Sequence, residues 1–173
     1  MGRRNYLIEG GSGTGKTSVC RELRRRGFHA VNGDRQLAYA GDPETGEPVP
    51  RVAGVAAHRY HLWRIDHVRA LVASGDEPVT FFCGGSRNAS RFLELFDIVF
   101  VLQVDLDTLR RRLDARPADE WGGPGRVAER ELIERLHISG EELPRGGVPI
   151  DATAPLETVV DRILEHVTGP LRR

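Results

Sequence analysis

Gly10-Gly11-Ser12-Gly13-Thr14-Gly15-Lys16-Thr17 matches the pattern G-x-x-x-x-G-K-[ST] at every fixed position. An apolar run, Tyr6-Leu7-Ile8, precedes it, and Ser18-Val19-Cys20-Arg21-Glu22-Leu23 follows with the character of a helix. Strand, glycine turn and helix start form the context in which this pattern cradles a polyphosphate. The glycines let successive backbone N–H groups turn inward, and the helix start adds unpaired donors and partial positive charge. Gly10 to Ser18 is therefore the candidate nucleotide-binding segment. In it, Lys16 reaches the β- and γ-phosphates, and the Thr17 hydroxyl takes a place on Mg²⁺.

Composition sharpens this reading. Lys16 is the single lysine of the chain, and the other basic residues are twenty-four arginines. A planar guanidinium does not reproduce the compact point charge that lysine offers a phosphate. The one lysine stands where that chemistry is needed. A chain of 173 residues suits one domain with a substantial core. Its formal net charge is zero, so no global field draws it to nucleic acid or to an anionic membrane. Cys20 and Cys83 make neither a metal-ligand spacing nor a disulfide framework, and read as buried, reduced thiols. The start runs directly into the first strand without a signal-type apolar region, and no apolar run reaches membrane-spanning length. A cytoplasmic location is expected.

Along the chain, strands alternate with helices. Strands are expected at Asn5–Glu9, Phe28–Val31, Pro78–Phe82, Ile98–Val104 and Val148–Asp151. Helices are expected at Lys16–Arg26, His58–Ser74, Ser90–Leu95, Leu109–Ala115, Ala128–Ser139 and Leu156–Thr168. Within His58–Ser74, Leu62, Ile65, Val68 and Val72 recur at helical spacing. Asp105 or Asp107 is placed to cap the helix after the fourth strand. Residues 40–54 hold three glycines and three prolines, and read as either a mobile flap or a surface connection. The pattern implies an α/β fold, with a parallel sheet of about five strands covered by helices on both faces. Ligands of such sheets bind beyond the carboxyl ends of the strands. Gly10, Asp34, Gly84 and Asp105 all follow strand ends and are expected to share one crevice.

The glycine loop, Gly33-Asp34 after the second strand, the glycine-and-arginine turn Gly84-Gly85-Ser86-Arg87, and Arg112-Leu113-Asp114-Ala115-Arg116 together resemble the P-loop nucleotide and small-molecule kinases, among them adenylate, shikimate and gluconate kinases. The resemblance spans nearly the whole chain. It implies a three-layer P-loop fold with strand order 2-3-1-4-5, an acceptor-binding insertion at about 35–75 and a short lid at about 117–127. It also implies ATP as phosphoryl donor and Mg²⁺ as its metal, with Asp34 facing the acceptor or the metal. Arg112 and Arg116, four apart on one helix face, would clamp the transferring phosphates.

Two departures bear on the substrate. Cys83 stands where adenylate-type kinases carry an acid near the metal, so Asp34 is left open between acceptor base and metal partner. Leu37 stands where nucleoside monophosphate kinases carry a phosphate-gripping arginine, which favours an acceptor hydroxyl on a nucleoside-, sugar- or cyclitol-like molecule. Arg35, His58, His61, Arg64 and Arg87 are the candidate residues around that acceptor. A nucleoside monophosphate kinase and an ATP-binding adaptor without acceptor chemistry are the rival readings. A GTPase is excluded in its usual form, because an Asn-Lys-x-Asp base-reading motif needs a second lysine. Neither a membrane nor a nucleic-acid partner is expected, and the oligomeric state is open.

Overall fold

A computed structural model describes residues 3–121 and 125–168. Five parallel strands form the central sheet: β1 (Arg4–Gly10), β2 (His29–Asn32), β5 (Val79–Cys83), β6 (Ile98–Gln103) and β7 (Val148–Asp151), in the order β2-β5-β1-β6-β7. This is the expected 2-3-1-4-5 order once a two-stranded hairpin, β3 (Ala38–Ala40) with β4 (His61–Trp63), is numbered in sequence. The strand β1 lies at the centre, with Ile8 beside Cys83 of β5 and Phe100 of β6. The glycine loop therefore leaves the middle of the carboxyl edge, flanked by the turns that follow β5 and β6.

Alternate residues of β1 face opposite layers. Tyr6 and Ile8 pack with Val19, Cys20 and Leu23 of α1 (Lys16–Arg25) and with Val159, Val160 and Ile163 of α7 (Leu156–Thr168). Leu7 packs on the other face with Val31, Phe82, Phe92, Phe96 and Val68 of α4 (Ile65–Ser74). Both faces are thus covered, which suits near-continuous apolar strands. The helices α5 (Leu106–Asp114) and α6 (Arg126–Ser139) follow β6 on the Tyr6/Ile8 side, with Leu109, Leu113 and Ile133 in the same cluster. Among the described residues, no helix is long and apolar enough to cross a membrane. Both cysteines are buried free thiols, as expected.

The expected helix His58–Ser74 is corrected to three elements: α3 (Val55–Arg59), β4, and α4 beginning only at Ile65. The cause is tertiary. The buried Asn88 accepts from the Trp63 backbone N–H (3.1 Å) and donates to the Trp63 carbonyl (2.9 Å), which holds Trp63 extended. Leu62, fully buried, pairs with Tyr39 of the hairpin. The expected helix Ser90–Leu95 is likewise two short 3₁₀ turns, Ala89–Arg91 and Leu93–Leu95. Residues 40–54 include a hydrogen-bonded turn: the Asp42 side chain accepts from the N–H groups of Glu44 and Thr45, and Arg91 donates to the Glu44 carbonyl.

Candidate active site

The glycine loop closes on itself. Gly10 has φ of 153°, and a Cβ there would meet Thr14 Oγ1 at 2.7 Å and the Leu102 carbonyl at 2.9 Å. A side chain would therefore force the loop off the end of β1. Lys16 Nζ donates to the carbonyls of Gly10 (2.5 Å) and Gly11 (2.9 Å). Burial lowers the pKa of this ammonium, while the charges of Asp34 and Glu9 act to raise it.

Two arginines brace the loop by different contacts, and only Arg112 lies on α5, so the expected pair on one helix face is corrected. Arg112 donates to the Gly13 and Thr14 carbonyls and, from its other nitrogen, to the Ala152 carbonyl (2.7 Å). It ties the loop to the turn after β7. Arg116, past the end of α5, donates to Ser12 Oγ (2.9 Å) and lies 4.8 Å over the ring of the buried Trp121. The lid expected at 117–127 is described here as the 3₁₀ turn Ala118–Glu120, Trp121 and the start of α6. Its residues 122–124 lie outside the described residues.

Asp34 sits in the one-turn helix α2 (Gly33–Gln36), directly after β2. Its Oδ1 accepts from Trp63 Nε1 (3.3 Å), His61 Nε2 (3.1 Å) and the Gly85 N–H (3.2 Å). Its Oδ2 has no hydrogen-bond partner among the described residues. Gly84, at φ 145°, makes this approach possible, since a Cβ there would meet Asp34 Oδ1 at 2.6 Å. Desolvation raises the carboxyl pKa, but the His61 hydrogen bond and the Lys16 charge outweigh it, so the group stays below its ordinary value. It is ionised at neutral pH, with one oxygen fixed and one open.

Two cavities meet at this point. The first, about 500 Å³, is lined by the loop from Ser12 to Ser18, by Arg112, and by Ala152, Ala154 and Leu156. Thr17 is exposed at its wall. The second, about 540 Å³, is lined among others by Glu9, Val55, His58, His61, Arg87, Trp121 and Glu142. They share four residues: Ser12, Lys16, Asp34 and Arg116. These are the groups chosen from sequence as loop, lysine, acid and arginine, and the fold brings them together.

Other sequence-chosen residues are not brought there. Arg35 is exposed and lines neither cavity; its backbone N–H donates to the Asn32 side chain. Arg64 is exposed and lies 4.8 Å over the Tyr39 ring, also outside both cavities. Asp105 does not join the crevice: its carboxylate is consumed in capping α5 through Thr108 N–H (2.7 Å) and Oγ1 (3.0 Å). Leu37 is buried in the core. Arg87 reaches the second cavity, but its guanidinium is ion-paired with Glu142, which also binds His58 at 2.6 Å. Cys83 does not replace the missing acid. Its hydrogen bond to Cys20 and its burial push the thiol well above its ordinary pKa.

Two functional candidates escape sequence reasoning. Glu142 follows α6 and meets His58 only in three dimensions, 84 residues away. Glu9, one residue before the glycine loop, is 4% exposed, and its Oε2 is buried without a hydrogen-bond partner. Burial pushes its carboxyl up to about 8 against the pull of Lys16, with the Asp34 charge adding to the rise. An acid directly after the apolar run Tyr6-Leu7-Ile8 was the signal available for it.

Solved structures share this fold. A sugar kinase from Janibacter sp. HTCC2649 is 17% identical, with 96% of this chain and 95% of that one covered, at a TM-score of 0.56. Shikimate kinase from Bacteroides thetaiotaomicron is 18% identical over 95% of this chain and 98% of its own, at 0.58. Deoxyadenosine kinase from M. mycoides, solved with bound dATP, is 14% identical over 96% and 100%, at 0.53. No curated protein matches the sequence. A family model described as an AAA domain matches residues 7–137, well over half of the chain, and the chain belongs to that family.

Proposed function

We propose that this protein is an ATP-dependent kinase that transfers the γ-phosphoryl group to a hydroxyl of a nucleoside-, sugar- or cyclitol-like acceptor. The observation that carries the reading is the meeting of two cavities at Lys16, Asp34, Arg116 and Ser12. A nucleotide in the first cavity and an acceptor in the second would be in contact only there. Phosphoryl transfer asks mainly for positioning and for charge placed on the transferring group. The loop N–H groups and Lys16 supply that charge on the donor side. Arg116 supplies it from the lid side, and its stacking on Trp121 couples it to the lid. Arg112 holds the loop against Ala152, which also lines the base end of the nucleotide cavity.

On the acceptor side, Asp34 is the base. Its Oδ1 is fixed by three donors and its Oδ2 is open to a substrate hydroxyl. The hydroxyl oxygen bonds to the γ-phosphorus, its proton passes to Oδ2, and the bond to the leaving ADP breaks. Among the described residues no three His, Cys, Asp or Glu side chains are grouped to hold a metal. The exposed Thr17 hydroxyl suits an ion that keeps most of its waters and rests chiefly on phosphate oxygens. Mg²⁺ bound there would neutralise charge on the β- and γ-phosphates.

The pairing of Arg87 to Glu142 supports a hydroxyl acceptor over a nucleoside monophosphate, whose phosphate would have to break that ion pair. The test is a screen of nucleosides, sugars, cyclitols and nucleoside monophosphates, scored by ADP formation with Mg²⁺-ATP. Acceptor-dependent ADP from a hydroxyl compound is the expected result. Turnover confined to nucleoside monophosphates would move the assignment to that rival, and nucleotide binding with no acceptor-dependent ADP would favour the adaptor.

A further inference from the structure

A buried carboxyl oxygen without a partner costs free energy in every folded molecule, and so calls for an explanation such as a group outside the chain that completes it. Glu9 Oε2 is such an atom. The residue sits on β1 with Leu7 on its own face, which turns it toward the second cavity and away from the nucleotide cavity. Its Oε1 lies 3.4 Å from the position that a Cβ on Gly85 would take, and the Gly85 N–H binds Asp34. Two carboxyls therefore lie beside Gly85 in the second cavity's lining: Asp34, whose Oδ1 is bound and whose Oδ2 has no partner among the described residues, and Glu9, whose buried Oε2 has none.

We propose that Glu9 is an acceptor-recognition residue, whose buried carboxyl takes a second hydroxyl of the polyol that offers its first hydroxyl to Asp34. This rests on the kinase reading above. Several observations select a neutral hydroxyl. Around Glu9 the cations Lys16 and Arg87 are balanced by the anions Asp34 and Glu142, so no net charge calls for an ionic ligand. A protonated carboxyl both donates and accepts, which matches a hydroxyl. An ammonium ligand only donates, and would need the ionised form that burial opposes. Glu9 is also absent from the wall that holds Thr17, which separates it from the metal-bearing phosphates.

The test compares Glu9→Met, which keeps the length and removes both hydrogen-bonding functions, with Glu9→Gln, which keeps a donor and an acceptor. Binding of myo-inositol, D-gluconate, shikimate and 2′-deoxyadenosine is measured by calorimetry with Mg²⁺ and a non-hydrolysable ATP analogue present. At least one probe is expected to bind the unaltered protein, about tenfold or more weakly to Glu9→Met, and within a few-fold of normal to Glu9→Gln. The Tm of Glu9→Met, expected to equal or exceed that of the unaltered protein, guards against a folding artefact. Equal binding to Glu9→Met and the unaltered protein overturns the proposal. So does equal loss in both variants, which would mean that an ionised carboxylate is needed, and so does failure of every probe to bind. ADP formation is measured separately: binding with the expected pattern but no ADP would sink the kinase reading and leave the recognition role standing.

Discussion

Replacing Glu9 by glutamine removes one titration from the folded protein and little else. Burial holds the Glu9 carboxyl at about 8, against an ordinary value of 4.5. Between those pH values the folded state binds a proton that the unfolded chain does not, so stability falls as pH rises from about 4.5 to about 8 and levels off above. At about 1.4 kcal/mol for each pKa unit, the full shift corresponds to at most about 5 kcal/mol. Water penetration and relaxation on ionisation reduce this, and about 2–4 kcal/mol is expected. That is a large share of the ~5–15 kcal/mol of a whole domain. The assay is urea unfolding of both proteins at intervals from pH 5 to 9, without nucleotide. Asp34 and Glu142, held below their ordinary values, stabilise the fold at neutral pH and lose that contribution as pH falls. They are common to both proteins and cancel in the difference. The two stabilities are expected to lie close at pH 5, with Glu9→Gln progressively the more stable toward pH 9. A difference that stays constant with pH would refute the idea of a buried, neutral acid at the end of β1.

Asp34→Asn keeps the contacts of Oδ1 but leaves no base, and turnover is expected to fall by roughly a hundred- to ten-thousandfold with Mg²⁺-ATP affinity nearly unchanged; full recovery at high Mg²⁺ would instead assign Asp34 to the metal. Lys16→Ala is expected to lower kcat by about a hundredfold or more, and Lys16→Arg not to restore it, because a fork does not fit between the Gly10 and Gly11 carbonyls. Near-normal turnover of the arginine variant would remove Lys16 from the mechanism. Arg116→Ala is expected to reduce turnover more than ATP affinity, whereas Arg112→Ala, which releases the loop from Ala152, is expected to weaken ATP binding first; kcat and KM for ATP, measured side by side, separate them. Gly33→Ala would set a Cβ 2.1 Å from the Trp63 ring, and a stability loss of about 1–3 kcal/mol by chemical denaturation is expected, with a fall in turnover as Trp63 leaves Asp34.

The central strands β1, β5 and β6 were legible as largely buried apolar runs, and the alternation of strands with helices implied a parallel sheet; the strand order came only with the resemblance to the P-loop kinases. The glycine loop's place between β1 and α1 was legible because its signal is local: the glycines, one lysine and one hydroxyl lie within a few residues of chain. Legibility ended where long-range contacts override spacing. Leu62 fits a helical repeat with Ile65 and Val68, yet Asn88 takes both backbone groups of Trp63 and draws the segment into a hairpin. Arg64 and Arg35 look like acceptor ligands by proximity to Asp34 in sequence, but the backbone turns their side chains outward. The partner of Arg87 was hidden because Glu142 lies beyond the lid, in a loop with no pattern of its own. Glu9 is hidden for the opposite reason: it stands between an apolar strand run and the strongest motif in the chain.

The polarity of the crevice follows from how its charges are satisfied. The lysine and arginines lining it have partners from the chain: Lys16 the Gly10 and Gly11 carbonyls, Arg112 the Gly13, Thr14 and Ala152 carbonyls, Arg116 the Ser12 hydroxyl, Arg87 the Glu142 carboxylate. A phosphate must displace one of these before it gains a contact, and Lys16 yields most readily, since carbonyls offer it less than a doubly charged oxygen cluster does. Arg87 yields least, because releasing it strands Glu142 beside His58. Asp34 Oδ2 and Glu9 Oε2, on two residues that line the second cavity, have no such competitor to remove among the described residues. A ligand hydroxyl therefore gains its full hydrogen bond there, while a second phosphate gains only the difference between two ion pairs. Under the proposed function, that inequality would direct phosphate to the loop side of Asp34 and hydroxyls to the Glu9 side.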